Sequence, residues 1–273
     1  MEREFRYTHA DFEQVRQRVY QMAGISLAPS KDQLVYSRLV RRLRTLRLLD
    51  FPSYFHYLDR HAEEAEHFIN ALTTNLTSFF REEHHFDYLA QYLREHHQPG
   101  KKWRIWCSAA STGEEPYSIA MTLAEAFGRF DVPVELLASD IDTKVLATAR
   151  EGVYPESRLE SVSAERRKAF FLRGKQSNAG RVRVVKELRQ MIEFRQINLL
   201  DTDWRIKPGV DVIFCRNVMI YFDKATQHKV LGRMAQLLSP QGRFFAGHSE
   251  SFVHANDVVR LIGRTIYQPV ARR

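Results

Sequence analysis

The 273-residue chain lacks several features that define whole classes of protein. It has no apolar run near the roughly 18 residues that a membrane-spanning helix needs, and it has only two cysteines, Cys107 and Cys215. Its 12 glycines and 9 prolines exclude a collagen-like or low-complexity chain. The opening MEREFRYTHA lacks the apolar core of a secretory signal. We therefore expect a cytoplasmic protein with reduced thiols, and its length favours two domains over one.

Positive charge is concentrated in one N-terminal segment. The net charge is +8, and residues 31–49 hold six basic side chains against one acidic side chain. At helical spacing one face of this segment is apolar, with Val35, Leu39, Leu43 and Leu46. Three arginines lie on a different arc, namely Arg38, Arg41 and Arg42. They form either a solvated helix surface or a docking surface for an acidic partner.

The pattern of elements changes along the chain. Residues 1–82 predict short amphipathic helices, the first with a capping box between Thr8 and Asp11 and an end at Gly24. From Lys101 onward strands alternate with helices, which predicts a mostly parallel sheet covered on both faces. The strand segments are WRIWC, VPVELLASD, DVIFCRN, GRFFAGH and GRTIYQPV. Within 165–197, RVRVV and MIEFRQI instead predict an antiparallel hairpin in an inserted subdomain.

Three predicted strands end in polar or small residues, where α/β sheets bind ligands. The first end, SAASTGEE (108–115), has neither the Lys-Ser/Thr pair of a P-loop nor a GxGxxG pattern. Glu114 and Glu115 open the next helix, either as capping acids or as a site that repels pyrophosphate and favours a cationic or hydroxyl-rich ligand.

The second and third strand ends indicate the cofactor. Dinucleotide-binding folds place a ribose-binding acid roughly 20 residues or more after the first loop. Asp140 lies at about that spacing. Asp142 is the better N-cap for the next helix. The third end, Cys215-Arg216-Asn217, would place Asn217 and Tyr221 over the ligand. A ribose acid without a pyrophosphate cradle favours S-adenosylmethionine over NAD.

Motifs along nearly the whole chain resemble the CheR family of chemotaxis protein-glutamate O-methyltransferases. They are TTNLTSFFRE (73–82), STGEEPYS (111–118), ASDID (138–142), INLL (197–200), FCRNVMIYFD (214–223) and FAGHSES (245–251). The resemblance implies an α/β, Rossmann-like S-adenosylmethionine-dependent methyltransferase fold with an N-terminal all-helical domain and a small inserted antiparallel β-subdomain. We expect receptor docking by residues 1–82, catalysis by 83–273 and the β-subdomain at 165–197.

The resemblance also implies roles for particular residues. Cofactor binding is expected at Asn75, Thr77, Arg81, Glu115, Asp140, Asn198, Leu199, Cys215 and Arg216, with Asn217 beside them. Arg81 and Tyr221 are the expected catalytic residues. Without the resemblance, TTNLTSFFRE would predict a helix start with Phe79 and Phe80 in the core.

The expected substrates are glutamate side chains on the cytoplasmic helical bundle of chemoreceptors, docked at Arg38, Arg41 and Arg42. Whether the β-subdomain also binds the receptor's C-terminal peptide stays open, because the 174–181 loop, GKQSNAGR, departs from the family's turn. The alternatives are a catalytically inactive scaffold and a methyltransferase for another acidic substrate. We expect a monomer, without nucleic-acid binding, membrane insertion or a metal site; His84 and His85 are adjacent, and no carboxylate set accompanies them. GHSES (247–251) lacks the second glycine of a hydrolase elbow.

Overall fold

A computed structural model describes residues 3–270, which divide into two compact units. The N-terminal unit extends to Thr74 and includes Tyr221–Gln227, and the C-terminal unit holds Asn75–Ile220 and the chain from His228 onward. The division falls inside TTNLTSFFRE, earlier than residue 82. None of the helices within 3–270 has both the length and the apolar character that a membrane crossing requires.

Four α-helices build the described part of the N-terminal unit, and the first has the predicted caps. Thr8 accepts a hydrogen bond from the Asp11 N–H in a complete capping box, and Gly24 ends the first helix with φ 70°. In the second helix Val35, Leu39 and Leu43 are buried, which confirms the apolar stripe at these positions, whereas Leu46 is half-buried. The helices are α1 (His9–Ala23), α2 (Asp32–Leu46), α3 (Phe51–Arg60) and α4 (Ala62–Leu72).

A seven-stranded mixed sheet forms the centre of the C-terminal unit, in the order β6-β2-β1-β7-β8-β10-β9. The first five strands in that order are parallel, and the last two pair antiparallel. The strands of this sheet are β1 (Trp103–Cys107), β2 (Val134–Asp140), β6 (Ile192–Gln196), β7 (Val210–Phe214), β8 (Leu238–Phe245), β9 (Val259–Gly263) and β10 (Ile266–Pro269). The predicted mostly parallel α/β sheet is confirmed.

Six further helices of the described range accompany the sheet, and a three-stranded antiparallel sheet is inserted. The helices are α5 (His84–Glu95), α6 (Glu114–Phe127), α7 (Thr143–Glu151), α8 (Ala164–Phe170), α9 (Lys186–Met191) and α10 (Lys224–Leu237). The small sheet has the order β3-β5-β4, with β3 (Val153–Pro155), β4 (Phe171–Arg173) and β5 (Arg181–Val184).

The predicted hairpin of RVRVV with MIEFRQI is wrong. RVRVV forms β5, which pairs with β3 and β4, whereas MIEFRQI forms β6, which runs parallel to β2 in the large sheet. The reason is the connection between the two runs: Lys186–Met191 forms helix α9 instead of a tight turn. A helical crossover is what a parallel pairing requires.

Aromatic packing fixes the sheet under the site. All residues of β7 are buried, and the rings of Phe214 and Phe245 stack with centroids 4.4 Å apart. Phe79 and Phe80 are also buried, as predicted, but TTNLTSFFRE forms no helix. The sequence pattern did not indicate edge strand β9, in which Arg260 and Leu261 are exposed and apolar alternation is weak.

Candidate active site

The sheet brings the predicted strand-end loops to one edge. Strands β6, β2, β1 and β7 are neighbours and parallel, so their carboxyl ends lie side by side. Strand β1 lies between β2 and β7, which is where the chain changes direction across the sheet. Ligands of open α/β sheets bind at such a point. The loops at this edge are 108–113, 140–142, 197–199 and 215–217.

The loop after β1 is shaped by close packing within the protein. Gly113 has φ 104°, and a Cβ there would lie 2.6 Å from the Tyr154 hydroxyl and 2.9 Å from the Ala149 Cβ. The same Tyr154 hydroxyl donates a hydrogen bond to the carbonyl oxygen of Thr112 at 2.7 Å. Gly113 is therefore required by the packing of the protein itself.

Asp140 is a buried carboxylate at the end of β2. Its Oδ2 accepts a hydrogen bond from the Ser111 N–H at 2.8 Å, and its Oδ1 accepts one from the Asp142 N–H at 3.0 Å. Burial raises the pKa of Asp140 to about 6, against the lowering effect of these backbone hydrogen bonds. The side chain is thus oriented by backbone N–H groups from the loops after β1 and β2.

The segment that begins at Asn75 is bound to two of these loops. The Asn75 side-chain amide donates to Asp142 Oδ2 at 3.0 Å, and the Asn75 carbonyl oxygen accepts from the Ser111 hydroxyl at 3.2 Å. Asp142 Oδ1 also accepts from the N–H groups of Lys144 and Val145, which confirms it as the N-cap of α7. Asn75 therefore lies beside the 140–142 loop, which also carries Asp140.

Arg216 is a fully buried cation that joins three segments of the site. Its Nη1 donates to Glu115 Oε2 at 2.7 Å, and its Nη2 donates to the Arg81 carbonyl oxygen at 2.5 Å. Nη2 also lies 3.4 Å from Glu82 Oε2. Burial raises the pKa of Glu115, and the charge of Arg216 opposes that rise. The Cys107 thiol donates to Glu115 Oε1 at 3.3 Å, so both carboxylate oxygens of Glu115 have partners.

Glu82 is the second acid near Arg216. Burial raises its pKa, but a hydrogen bond from His248 at 3.0 Å and the charge of Arg216 outweigh burial and lower the pKa to about 2. The argument that no carboxylate accompanies His84 and His85 is wrong. One ring nitrogen of each histidine and one carboxylate oxygen of Glu82 lie within 4.8 Å of one another. Since Arg216 and His248 already compensate Glu82, we do not propose a metal there.

Left-handed backbone conformations are concentrated in the site segments. Among residues 3–270, four of the eight non-glycine residues with positive φ lie in these segments: Phe80 (53°), Glu82 (58°), Ser111 (49°) and Asn217 (58°). Such conformations cost about 1–3 kcal/mol each and persist where surrounding contacts hold them, which is common at functional sites.

The remaining residues that were predicted to bind the cofactor differ in their burial and in their hydrogen bonds. The Arg81 guanidinium is half-buried and donates to the Leu76 carbonyl oxygen at 3.0 Å. The Thr77 carbonyl accepts from Arg158 Nη1 at 3.3 Å. In the loop after β6, Asn198 Oδ1 accepts from the Leu200 N–H at 3.0 Å. Leu199 and Cys215 are buried, so contact with a ligand would involve their main chains.

Tyr221 belongs to the N-terminal unit. Its carbonyl oxygen accepts a hydrogen bond from the Ser26 N–H at 2.7 Å. Tyr221 is the last residue of the 3-10 turn Met219–Tyr221, and it is half-buried.

The three predicted docking arginines lie on α2 but are not equivalent. Arg42 forms an ion pair with the buried Glu64, from Nη2 to Oε2 at 2.5 Å, and the Tyr54 hydroxyl donates to the same carboxylate. Arg38 donates to the carbonyl oxygens of Leu72 and Thr73 at 2.9 and 2.8 Å. Arg41 is exposed. The first two therefore have a role inside the domain besides any role in docking.

The open sheet and this strand-end site define an α/β ligand-binding domain, and comparison with known families identifies it as an S-adenosylmethionine-dependent methyltransferase. The family model described as "CheR methyltransferase, SAM binding domain" matches residues 75–268, and "CheR methyltransferase, all-alpha domain" matches residues 10–73. The chain belongs to the CheR methyltransferase family, and its cofactor is S-adenosylmethionine.

Several curated proteins are similar over almost the whole chain. Chemotaxis protein methyltransferase 2 of Pseudomonas aeruginosa strain PAO1 is 63% identical over 266 residues, 97% of this chain and 95% of that protein. The chemotaxis protein methyltransferase of Salmonella typhimurium strain LT2 is 50% identical over 260 residues, 94% of this chain and 89% of that protein. The chemotaxis protein methyltransferase of Escherichia coli strain K12 is 48% identical over 260 residues, 94% of this chain and 90% of that protein. These similarities support S-adenosylmethionine-dependent methylation in chemotaxis.

Sequence patterns alone did not identify two acids of the site. Glu82 closes the TTNLTSFFRE motif, and only its contacts to Arg216 and His248 reveal it. Glu250 lies in FAGHSES, where the hydrolase comparison directed attention to the serines. A signal was available: Gly247 and Glu250 are three residues apart, a spacing at which a side chain reaches back to a backbone N–H, as in a capping box.

Proposed function

We propose that this enzyme transfers the methyl group to side-chain carboxylates of glutamates on cytoplasmic helices of chemoreceptors, forming glutamyl methyl esters. The observation that carries the proposal is family membership over 10–73 and 75–268, together with close relatives that are named chemotaxis protein methyltransferases. The strand-end site gives the proposal a chemical basis, because Asp140, held by the loop after β1, offers an acid for the ribose hydroxyls of the cofactor.

The substrate needs little chemical activation. A glutamate has a reference pKa of about 4.3, so at neutral pH its carboxylate is already a nucleophile and no general base is required. When bound, S-adenosylmethionine supplies an electrophilic methyl on a positively charged sulfur. The chain's task is then to align the carboxylate with that methyl and remove water from it.

Two side chains are proposed to position the reactants. Arg81 uses one nitrogen for the Leu76 carbonyl, and a guanidinium has five N–H donors, so further donors remain for a carboxylate. Tyr221 would orient the carboxylate through its hydroxyl. For cofactor binding we propose Asp140 with the main chain and side chains of the predicted set around it, and for receptor docking Arg38, Arg41 and Arg42 on α2.

We further propose that the inserted sheet binds the receptor's C-terminal peptide by adding it as a strand. In support, β4 is an outer strand of the order β3-β5-β4, and Leu172 and Arg173 on it are exposed. Strand addition uses main-chain hydrogen bonds at such an edge. The enzyme is proposed to act in the cytoplasm as a monomer, on protein and not on nucleic acid.

Mass spectrometry of receptor fragments tests the substrate. Cytoplasmic fragments incubated with enzyme and S-adenosylmethionine should gain one methyl at specific glutamates, and a receptor Glu→Gln variant at a mapped site should lose that modification. Methylation of a different acidic protein with an unmodified receptor would support the alternative substrate. Cofactor binding without any methyl transfer would identify an inactive scaffold. Fragments lacking the C-terminal peptide should be methylated more slowly; equal rates would refute strand addition.

A further inference from the structure

A single buried carboxylate organises the loop that follows β7. Glu250 Oε2 accepts hydrogen bonds from the Asn217 N–H at 3.0 Å and from the Gly247 N–H at 2.6 Å. Glu250 Oε1 accepts one from the Met219 N–H at 2.8 Å. The residue is only 5% exposed. Three backbone N–H groups from two strand-end loops thus converge on one side chain.

Gly247 completes the same arrangement from the other loop. A Cβ on Gly247 would lie 2.2 Å from Asn217 Nδ2 and 2.9 Å from the Asn217 main-chain nitrogen. Any side chain at position 247 would therefore displace Asn217. Asn217 itself has φ 58°, a conformation that a non-glycine residue keeps only under constraint.

Asn217 connects this arrangement to the charged part of the site. Its side-chain amide lies 3.5 Å from Glu82 Oε1, and Glu82 is compensated by His248 and Arg216. Asn217 directly follows Arg216 in the chain, so the hydrogen bond from its N–H to Glu250 also fixes where the Arg216 segment leaves β7. Displacing Asn217 would disturb both neighbours.

We propose that Glu250 is a positioning residue of the methyltransferase site, which with Gly247 holds Asn217 and the loop after β7 in the geometry that binds S-adenosylmethionine. Glu250 acts through these main-chain hydrogen bonds and does not touch the reacting atoms. The inference rests on the proposed placement of Asn217 and Arg216 among the cofactor-binding residues. It also assigns a role to the GHSES segment, which the sequence comparison with hydrolases left without one.

The chemistry of the replacement determines the test. Glu250→Gln has nearly the same shape but only one acceptor oxygen, so at least one N–H group would face an amide NH₂. Gly247→Ala leaves Glu250 unchanged and displaces Asn217 sterically. The matched control is Glu151→Gln, the same charge change at an exposed residue at the end of α7.

Binding of S-adenosylhomocysteine to each full-length variant is measured by calorimetry, at a temperature where circular dichroism shows all of them folded. We expect Kd to rise about tenfold or more for Glu250→Gln and for Gly247→Ala, because small displacements in such sites have large effects, and to stay unchanged for Glu151→Gln. KM for S-adenosylmethionine should rise more than kcat falls.

A lower melting temperature with an unchanged Kd in both variants would show a structural role only and overturn the proposal. The binding assay needs no receptor. If the wild type binds S-adenosylhomocysteine but methylates no receptor, the substrate proposal fails while this test remains valid.

Discussion

Arg216 and Glu115 form a buried ion pair, with Nη1 of the arginine 2.7 Å from Oε2 of the glutamate. The pair links the end of β7 to the start of α6, and both side chains are nearly inaccessible to water. Each charge on its own would be costly to bury, so the two are stable only together. This interdependence gives the site its first testable consequence.

Replacing Arg216 by Ala should strongly destabilise the protein. The variant leaves Glu115 buried without its cation, and breaking a buried pair typically costs about 3–5 kcal/mol. The loss is measured as the change in unfolding free energy by urea titration with circular dichroism. The double variant Arg216→Met with Glu115→Gln should recover part of that loss, because Glu115 no longer carries a buried charge, while Glu82 loses Arg216 and keeps His248 as a partner. A double variant no more stable than Arg216→Ala would refute the ion-pair account.

Asp140 should make cofactor binding pH-dependent. Because hydroxyls donate more strongly to an ionised carboxylate, affinity for S-adenosylhomocysteine should fall several-fold as pH falls through about 6, the pKa of Asp140. Asp140→Asn should bind more weakly at pH 7.5 and lose this dependence. Calorimetry between pH 5.5 and 8 measures both. If the variant kept the wild-type pH profile, another group would be responsible.

The same pKa has a consequence for stability without ligand. Burial raises the folded-state pKa of Asp140 above its ordinary value of 3.8, so the folded protein is more stable when Asp140 is protonated. This stability is fully present below pH 3.8 and is lost as the pH rises through about 6. Thermal melts of the wild type should therefore lose more stability between pH 4 and pH 7 than those of Asp140→Asn. Parallel curves would contradict the raised pKa.

The arginines of α2 should separate into a docking residue and a structural one. Arg41→Glu is expected to slow receptor methylation several-fold at low salt, with less effect at high salt and little change in stability. Arg42→Ala should instead cost about 3–5 kcal/mol of stability, because it leaves the buried Glu64 unpaired. Methylation rates at two salt concentrations and urea titrations distinguish the two. Unchanged methylation by Arg41→Glu would remove Arg41 from the docking surface.

Tyr221 should affect turnover more than binding. Tyr221→Phe keeps the ring and removes only the hydroxyl proposed to orient the carboxylate. We expect kcat to fall on the order of tenfold or more while Kd for S-adenosylhomocysteine stays within about twofold. Steady-state kinetics with receptor fragments and calorimetry give the two values. Equal turnover in wild type and variant would exclude a mechanistic role for the hydroxyl.

Local rules in the sequence predicted those parts of the fold that local rules determine. The caps at Thr8, Gly24 and Asp142 are where the sequence places them, and buried apolar runs identify the central parallel strands. The position of Asp140 at the end of β2 could therefore be predicted from the sequence alone.

Long-range pairing could not be predicted in the same way. The partner of β6 depends on Lys186–Met191 forming a helix, and six residues with weak periodicity do not distinguish a helix from a turn. The ion pair of Arg42 with Glu64 joins residues on α2 and α4, and two of the three hydrogen bonds to Glu250 come from the loop after β7, which is distant in the sequence. Burial and charge pairing appear only when the chain is folded.

Base treatment of methyl-labelled receptor fragments tests the central claim most directly. Receptor fragments are incubated with this enzyme and S-adenosylmethionine labelled in its methyl group, and the label is then followed through mild alkaline hydrolysis. The account predicts label on the receptor that alkali releases as volatile methanol, as a glutamyl methyl ester requires. Label that resists alkali, or no label despite cofactor binding by the same enzyme preparation, would contradict it.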